Sequence, residues 1–326
     1  MAKVLLTGGS GFVASHILNV LLERGYSVTT TVRSAAKGDK ILQSYKTGKN
    51  QLSYVIIKDI AAEGAFDHAF QTSAPFDYVI HTASPFPATF VDPVVDLLNP
   101  AIKGTTGILD AIKAYAPSVK RVVITSSFAA MVNEVSPPLS DNSKTYRGSK
   151  TFAEKAAWKF VNKGNCSFDL VSLNPPLVYG PVIHHLENQS QGLASLNTSN
   201  QRIRDFIEGK YRSKTLPPTG TFLWVDVRDL AMTHVRALEV PEAGGKRFFV
   251  TAGHCSNKRI VDAIRETRPD ISHLLSQNPI DDFPEDSCYG FDNSRAKEIL
   301  GVQFRSLEKG IGDTAGSLLD LIERST

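Results

Sequence analysis

The stretch KVLLTGGSGFVASHI, from Lys3 to Ile17, decides the fold class of this chain. A short apolar run is followed at once by the glycines of Thr7–Gly11, and a helical pattern of apolar residues, Phe12–Arg24, follows the glycines. An apolar run, a glycine-rich turn and an amphipathic segment predict a buried strand, a tight turn and a helix. The chain therefore begins with a β-turn-α unit.

The same alternation continues through the first half of the chain. We predict strands at Val4–Leu6, Ser27–Val32, Leu52–Ile57, Tyr78–His81, Arg121–Thr125 and Leu170–Leu173. We predict helices at Phe12–Arg24, Ala35–Tyr45, Ala65–Phe70, Val94–Tyr115 and Thr151–Val161. Nearly continuous apolar strands separated by helices are typical of a parallel sheet covered on both faces, with right-handed crossovers. The fold class is therefore α/β, a Rossmann-type doubly wound parallel sheet.

The second half predicts a smaller lobe built from separate pieces of the chain. Two further apolar runs occur at Thr221–Val225 and Arg247–Thr251, while the stretches Pro181–Pro218 and roughly Gly253–Thr326 are richer in polar residues and turns. We assign residues 1–178 and about 221–252 to the Rossmann domain. Residues from about 179 to 220 and from 253 to 326 form the smaller substrate-binding lobe.

Bulk composition indicates a soluble globular protein. Of the 326 residues, 42% are apolar and 21% are charged, and the net charge is only +3 without a basic run, which argues against nucleic acid as a partner. Three scattered cysteines, Cys166, Cys255 and Cys288, indicate reduced thiols. Because no signal peptide or membrane-length apolar stretch is visible, we expect a cytoplasmic protein without a membrane partner.

The glycine turn predicts a dinucleotide site. It can be read as Gly9-x-Gly11-x-x-Ala14 or as Gly8-x-x-Gly11-x-x-Ala14. Glycines let the backbone approach a pyrophosphate, and the following helix offers unpaired amides and a positive dipole end. The last position requires only a small residue for helix–strand packing, and alanine is small enough. The candidate cofactor residues here are Gly8, Gly9, Ser10, Gly11, Phe12 and Val13.

The end of the second strand indicates which dinucleotide binds. An NAD site would place an acidic residue near this point to accept hydrogen bonds from the ribose. The sequence here is Thr31-Val32-Arg33-Ser34, with Lys37 one helical turn beyond Arg33. Two cations suit a 2′-phosphate, and each charge-assisted hydrogen bond contributes about 1.5–3 kcal/mol. Arg33 and Lys37 therefore favour NADP(H).

A tyrosine, a lysine and two serines indicate chemistry rather than binding alone. In TYRGSK, Tyr146 and Lys150 are four residues apart and so lie on one helix face. Ser126 and Ser127 end the predicted strand Arg121–Thr125, at the edge where open α/β sheets bind ligands. An ammonium beside a tyrosine stabilises the phenolate and makes the hydroxyl a better proton donor near neutral pH. A serine hydroxyl can hold a carbonyl oxygen beside it.

On these residues the sequence resembles the extended short-chain dehydrogenase/reductases. The resemblance is to the dihydroflavonol-reductase-like branch, which includes methylglyoxal reductases and fungal NADPH-dependent carbonyl and aldehyde reductases. It covers residues 5 to about 229. The matching stretches are TGGSGFVASH, TVRS, HTASPF, VVITSSFAA, YRGSK with FAEKAAW, LNPPLVYGP, LNTS and DVRD.

The resemblance implies a role for each matching residue. Ser127, which precedes Phe128-Ala129-Ala130 as in the family motif, would polarise the carbonyl. Tyr146 would donate the proton, while Lys150 would bind the ribose and tune the tyrosine. The other cofactor residues that the resemblance implies are Asp59 and Ile60 at the adenine, Thr82, Ala83 and Ser84, then Pro175, Leu177 and Val178 at the nicotinamide, and Ser199.

One segment departs from the family pattern. Between Ser127 and Tyr146 relatives usually carry a longer stretch of bulky residues that borders the substrate, but here it is only FAAMVNEVSPPLSDNSKT. Either the site is more open than in relatives, or the sequence given omits part of a loop. Substrate preference therefore transfers less securely than the catalytic roles.

The leading hypothesis is an NADPH-dependent carbonyl reductase acting on aryl ketones, α-ketoesters or methylglyoxal-like substrates. Apolar pocket candidates are Phe86, Phe128, Met131, Tyr179 and Trp224, of which Phe86, Phe128 and Tyr179 are taken as substrate-binding. A nucleotide-sugar epimerase or dehydratase is a rival on the same fold, although dehydratases place a carboxylate pair after the strand-five hydroxyl where this chain has Phe128–Ala130. The same motifs are also compatible with a hydroxysteroid dehydrogenase and with an NADP-sensing protein without turnover.

The histidines do not predict a metal site. Adjacent His184 and His185 point apart and lack partners at ligand spacing, so no metal is expected. His16 is interpreted as a polar or packing residue. The sequence is compatible with either a monomer or a homodimer.

Overall fold

A computed structural model of the chain describes residues 1–45, 51–73, 75–84, 91–132, 141–183 and 196–324. Within these ranges the strands are, in chain order, β1 Lys3–Thr7, β2 Ser27–Val32, β3 Leu52–Ile56, β4 Tyr78–His81, β5 Arg121–Thr125, β6 Asp169–Asn174, β7 Leu177–Tyr179, β8 Leu223–Asp226, β9 Arg247–Phe249 and β10 Gly253–His254. Seven of them form a parallel sheet in the order β3-β2-β1-β4-β5-β6-β9. This order confirms the predicted Rossmann-type fold.

Helices connect the strands. In chain order they are α1 Phe12–Glu23, α2 Ala35–Ser44, α3 Asp67–Thr72, α4 Asn99–Tyr115, α5 Asp141–Asn162, α6 Thr198–Ile207, α7 Val227–Glu239, α8 Asn257–Thr267, α9 Ser294–Leu300 and α10 Leu307–Glu323. A π-helical turn, Val94–Leu98, leads into α4. In the described part of the chain, no helix combines the length and apolar character needed to cross a membrane.

The large sheet has a buried core on each face. Along β1, Val4 and Leu6 face one apolar cluster, which α1 and α7 cover, while Leu5 between them faces the opposite cluster, which α4 covers. Alternate side chains of a strand point to opposite faces, so a strand buried on both sides must be apolar at every position. That requirement explains the uninterrupted apolar runs in the sequence.

A third apolar cluster lies beside a smaller sheet. This sheet has the order β10-β8-β7, with β7 and β8 parallel and β8 and β10 antiparallel. Its cluster includes Tyr179 and Trp224 and draws on α6, α8 and α10. The helices α6, α8 and α10 form in stretches that the sequence analysis interpreted as polar and turn-rich, because each has a single apolar face.

Two segments of the second half of the chain pack across the predicted boundary between the two lobes. β8 is shared, since Trp224 packs in the third cluster while its neighbour Val225 packs under the large sheet. Ala296 and Leu300 of α9 also pack under the large sheet, although the prediction placed them in the smaller lobe. The two-lobe division stays a prediction.

Candidate active site

The carboxyl ends of four neighbouring strands bring the predicted site segments to one edge of the sheet. In the parallel register Thr7 pairs with His81, His81 with Ile124, and Thr125 with Leu173. The residues that follow these strand ends are therefore neighbours in space. They are the glycine turn after β1, Thr82–Ser84 after β4, Ser126–Ser127 after β5 and Pro175 after β6.

The glycine turn leaves no room for a side chain at Gly9 and little at Gly8. A Cβ on Gly9 would lie 1.9 Å from Thr30 Oγ1, and Gly8, at φ +75°, would bring a Cβ to 3.2 Å from the Ala83 Cα. Gly11 caps α1, which has neither a capping side-chain hydrogen bond nor an acidic residue in its first turn. The backbone thus forms a close-fitting surface with helix amides at its end, which suits an anion such as a pyrophosphate.

Hydrogen bonds at Thr7 connect the glycine turn to the end of β4. Thr7 Oγ1 accepts from the amides of Thr82 and Ala83, both at 3.1 Å. Its own proton is therefore donated to His81 Nδ1, 2.9 Å away, so His81 carries its proton on Nε2. Burial lowers the pKa of His81 to about 3, and the nearby Lys150 ammonium adds to the effect. His81 is a neutral structural residue.

The two serines after β5 have different environments. Ser127 Oγ accepts from the Ala129 amide at 3.1 Å and caps the short 3-10 helix Phe128–Ala130. Because a hydroxyl that accepts from an amide keeps its proton to donate, Ser127 can hydrogen-bond a carbonyl oxygen. Ser126 Oγ instead donates to the buried Glu154 carboxylate. This difference supports the choice of Ser127 over Ser126.

Tyr146 and Lys150 lie on α5, a single helix that begins before the predicted Thr151 and includes both residues. The Lys150 ammonium is 6.0 Å from the centroid of the Tyr146 ring. It also donates to Ser84 Oγ at 3.1 Å. The structure thus brings Lys150 against the β4 end, where the resemblance places the cofactor.

Arg33 and Lys37 lie at the carboxyl end of β2 and the start of α2. Both side chains are exposed, and neither has a hydrogen bond or ion pair to the described part of the chain. On the neighbouring strand end, Asp59 accepts from the Ala61 amide at 2.9 Å in a local turn, and Ile60 packs against Gly104. Two cations without a carboxylate partner are free to pair with a phosphate.

The remaining cofactor candidates follow β6. The Pro175 carbonyl accepts from the Phe128 amide at 2.8 Å, which joins the ends of β5 and β6. Leu177 and Val178 are half-buried on β7. Ser199 lies in the first turn of α6, and Asn197 before it connects the helix to β7, since its Nδ2 donates to the Val178 carbonyl at 3.1 Å.

The substrate candidates separate into three groups. Phe86 lies outside the described residues. Tyr179 and Trp224 are 0% and 2% exposed within the third cluster, a placement that favours a core role over substrate contact. Phe128 is half-buried, and its ring stacks on Phe249 with the centroids 5.4 Å apart.

Two aromatic residues beside Phe128 were missed in the sequence analysis. They are Phe249 on β9 and Tyr289, whose ring is also 5.4 Å from Phe128. The Tyr289 hydroxyl accepts from the Phe222 amide at 3.0 Å, which fixes the ring. No local pattern signals these residues, because they contact Phe128 from segments that are far away in the chain.

Neither His16 nor any described group of residues forms a metal site. His16 Nε2 hydrogen-bonds the Pro181 carbonyl at 2.9 Å, so His16 ties α1 to the segment after β7. His184 and His185 lie outside the described residues. Within the described ranges, no group of three or more potential ligand residues could hold a metal ion.

Comparison with known proteins gives the family. The model of the NAD dependent epimerase/dehydratase family matches residues 4–252. The chain belongs to this family, which confirms the predicted resemblance to extended short-chain dehydrogenase/reductases.

More specifically, the chain is similar to fungal reductases. The ketoreductase azaE of Aspergillus niger is 48% identical over 335 residues, covering 98% of this chain and 98% of that protein. The NADPH-dependent methylglyoxal reductase GRE2 of Saccharomyces cerevisiae is 33% identical, covering 97% and 98%. The crystal structure of Gre2 from Candida albicans in complex with NADPH superimposes with a TM-score of 0.90 at 34% identity, covering 98% of this chain and 99% of that one.

Proposed function

We propose that this protein is an NADPH-dependent carbonyl reductase that converts ketones or aldehydes to alcohols. The carrying observation is the Ser127, Tyr146 and Lys150 set at one sheet edge with a glycine turn that fits a dinucleotide. The named activities of the similar proteins, ketoreductase and NADPH-dependent methylglyoxal reductase, support this reaction and this cofactor.

Residues along the sheet edge would hold the cofactor. The glycine turn and the first turn of α1 would bind the pyrophosphate, Arg33 and Lys37 the 2′-phosphate, and Lys150 the ribose. Asp59 and Ile60 would lie at the adenine. Pro175, Leu177 and Val178 would lie at the nicotinamide, and Thr82, Ala83, Ser84 and Ser199 would also contact the cofactor. NADPH supplies, when bound, a hydride for the carbonyl carbon.

The protein's own groups act on the carbonyl oxygen. Ser127 donates a hydrogen bond to this oxygen and orients the substrate. Tyr146 transfers its hydroxyl proton to the oxygen, and the positive charge of Lys150 stabilises the phenolate that results. The substrate thus gains one hydride on carbon and one proton on oxygen.

The aromatic residues beside Ser127 favour bulky or aromatic carbonyl substrates. Phe128, stacked on Phe249 and adjacent to Tyr289, offers ring faces next to the carbonyl-binding serine. Phe128–Ala130 contains no acid, unlike the carboxylate pair of dehydratases. We therefore favour reduction of aryl ketones and aryl α-ketoesters over a dehydration.

The experiment is NADPH oxidation, followed by absorbance, with methylglyoxal, an aliphatic aldehyde, an aryl ketone and an aryl α-ketoester. NADH is run alongside each substrate. We expect turnover with NADPH preferred and the aryl substrates fastest. Tight NADPH binding without turnover on any substrate would instead support a cofactor sensor or a nucleotide-sugar enzyme.

A reducing compartment suits the protein. Burial raises the pKa of the Cys255 thiol to about 12, so this cysteine stays an unreactive thiol, and Cys166 and Cys288 are also free. We propose the cytoplasm as the location, with a small-molecule carbonyl as the partner.

A further inference from the structure

Glu154 is a buried acid that the proposed mechanism does not use. It lies on α5, one helical turn beyond Lys150, and is 3% exposed. A buried carboxylate is costly unless hydrogen bonds compensate for the lost water. Its partners therefore show what the residue holds in place.

The two carboxylate oxygens of Glu154 have separate sets of partners. Oε2 accepts from Ser126 Oγ at 2.5 Å and from Asn174 Nδ2 at 2.8 Å, on the side of the sheet edge. Oε1 accepts from Trp158 Nε1 at 3.2 Å and forms an ion pair with Arg247 Nε at 2.6 Å, on the side of a surface cavity of about 240 Å³. Oε2 is thus directed to Ser126 and Asn174 at the strand ends, whereas the partners of Oε1 line the surface cavity. Arg247 Nη2 also donates to the Ala130 carbonyl at 3.1 Å.

Asn174 extends the contact to the catalytic serine. Its Nδ2 also donates to the Ser127 carbonyl at 3.0 Å, and its Oδ1 accepts from Ser172 Oγ at 3.2 Å. These contacts determine which way the amide points. A continuous path of hydrogen bonds thus runs from Glu154 through Asn174 to Ser127.

The carboxyl is held in its charged form. Burial by itself would raise the pKa of Glu154, but the Arg247 guanidinium and the hydrogen bonds from Ser126 and Asn174 outweigh burial and lower the pKa below its ordinary value. A charged acceptor makes stronger hydrogen bonds than a neutral one. The hydrogen bonds that Oε2 accepts from Ser126 and Asn174 are therefore both charge-assisted.

We propose that Glu154 is a positioning residue for carbonyl reduction, which holds the strand ends that carry Ser127 in register with the helix that carries Tyr146 and Lys150. The inference rests on the proposed reductase function. Ser127 and Tyr146 must act on the same oxygen, yet Ser127 follows a strand of the sheet whereas Tyr146 lies on the helix α5. Displacements of about 1 Å can reduce rates on the order of 100-fold.

The test variant is Glu154→Gln. An amide of the same shape has one acceptor oxygen and an NH₂ group, which would face donors that Glu154 now satisfies. We expect kcat with an aryl ketone to fall about 10- to 100-fold. The NADPH dissociation constant, measured by fluorescence, should change by less than about threefold, because the glycine turn that binds the pyrophosphate does not contact Glu154.

Two further variants separate positioning from folding. Ser126→Ala removes one arm at Oε2 and should lower kcat by several-fold, whereas Trp158→Phe removes a donor to Oε1 and should leave kcat within about twofold. This pair keeps the proposal testable if Glu154→Gln fails to fold.

Several results would overturn the proposal. One is a Glu154→Gln enzyme with wild-type kcat. Another is a Glu154→Gln enzyme in which kcat, NADPH affinity and melting temperature all fall together, as a purely structural role would produce. Equal effects of Ser126→Ala and Trp158→Phe would also contradict it. A wild-type protein that reduces no carbonyl would instead refute the proposed function.

Discussion

The two ends of the candidate site are built in opposite ways. At the catalytic end, Ser126 and Ser127 are buried, and their hydrogen bonds reach α5, β6 and the turn that follows β5. At the other end, Arg33 and Lys37 are exposed, and in the part of the chain that the structure describes neither has a polar partner.

The contrast between the buried serines and the exposed cations indicates which functions need a fixed geometry. Proton transfer depends on short distances, so its groups are held by hydrogen bonds before the substrate arrives. Recognition of a phosphate needs positive charge near the sheet edge, and the long, flexible side chains of exposed arginine and lysine residues can provide that charge. Changes at the first end should therefore abolish chemistry, while changes at the second should shift cofactor preference.

The largest expected effect is that of Tyr146→Phe, which removes the hydroxyl that we assign as proton donor. We expect kcat to fall about 100- to 10,000-fold, the usual contribution of general acid catalysis. NADPH affinity, measured by titration, should change little. Tyr115→Phe, at the exposed end of α4, is the matched control and should keep wild-type turnover. Near-normal turnover of Tyr146→Phe would show that the proton comes from another group.

A smaller effect is expected when Arg33 and Lys37 are both replaced by alanine. Loss of charge-assisted contacts to the 2′-phosphate should lower kcat/KM for NADPH about tenfold or more. The value for NADH, which lacks that phosphate, should stay nearly constant.

Lys40→Ala provides the control for this pair, since Lys40 is an exposed cation on the same helix. An equal loss with NADPH and NADH in the double variant would contradict the assignment of Arg33 and Lys37 to the phosphate.

The smallest effect concerns the pH dependence of stability, and it tests whether the buried histidines near the catalytic end stay neutral in the folded protein. Burial lowers the pKa of His234 to about 4, although its hydrogen bond to the Leu230 carbonyl opposes the shift, and lowers that of His81 to about 3. Between these values and the ordinary value near 6.5 the unfolded chain binds more protons than the folded one. The stabilisation is thus complete above pH 6.5 and is lost as the pH falls toward 4 and 3, by up to about 1.4 kcal/mol per pH unit for each histidine.

Thermal melting between pH 7 and pH 5 measures this slope. The His234→Gln variant should show a shallower fall in melting temperature than the wild-type protein, whereas His273→Gln, at an exposed position, should keep the wild-type slope. Identical slopes in all three proteins would mean that His234 is not held neutral in the fold.

Much of the fold and the cofactor site could be predicted because the signals are local. The glycines of Thr7–Gly11, the apolar strands and the i, i+4 pair of Tyr146 and Lys150 each lie within a few residues. Glu154 continues the same helix face one turn further, so its periodicity was visible in FAEKAAW. Its partners were not, because Ser126 and Asn174 reach it from two different strands.

By itself the sequence determined the order of strands and helices in the first half of the chain, the glycine turn and the residue types available for proton transfer and phosphate binding. Only the tertiary structure decided which side chains meet. It buried Tyr179 in the third apolar cluster, stacked Phe249 on Phe128, and placed Glu154 beside the ends of β5 and β6. The physical reason is that periodicity reports which face of an element is buried, whereas the partner on that face is set by strand pairing and packing between segments far apart in the chain.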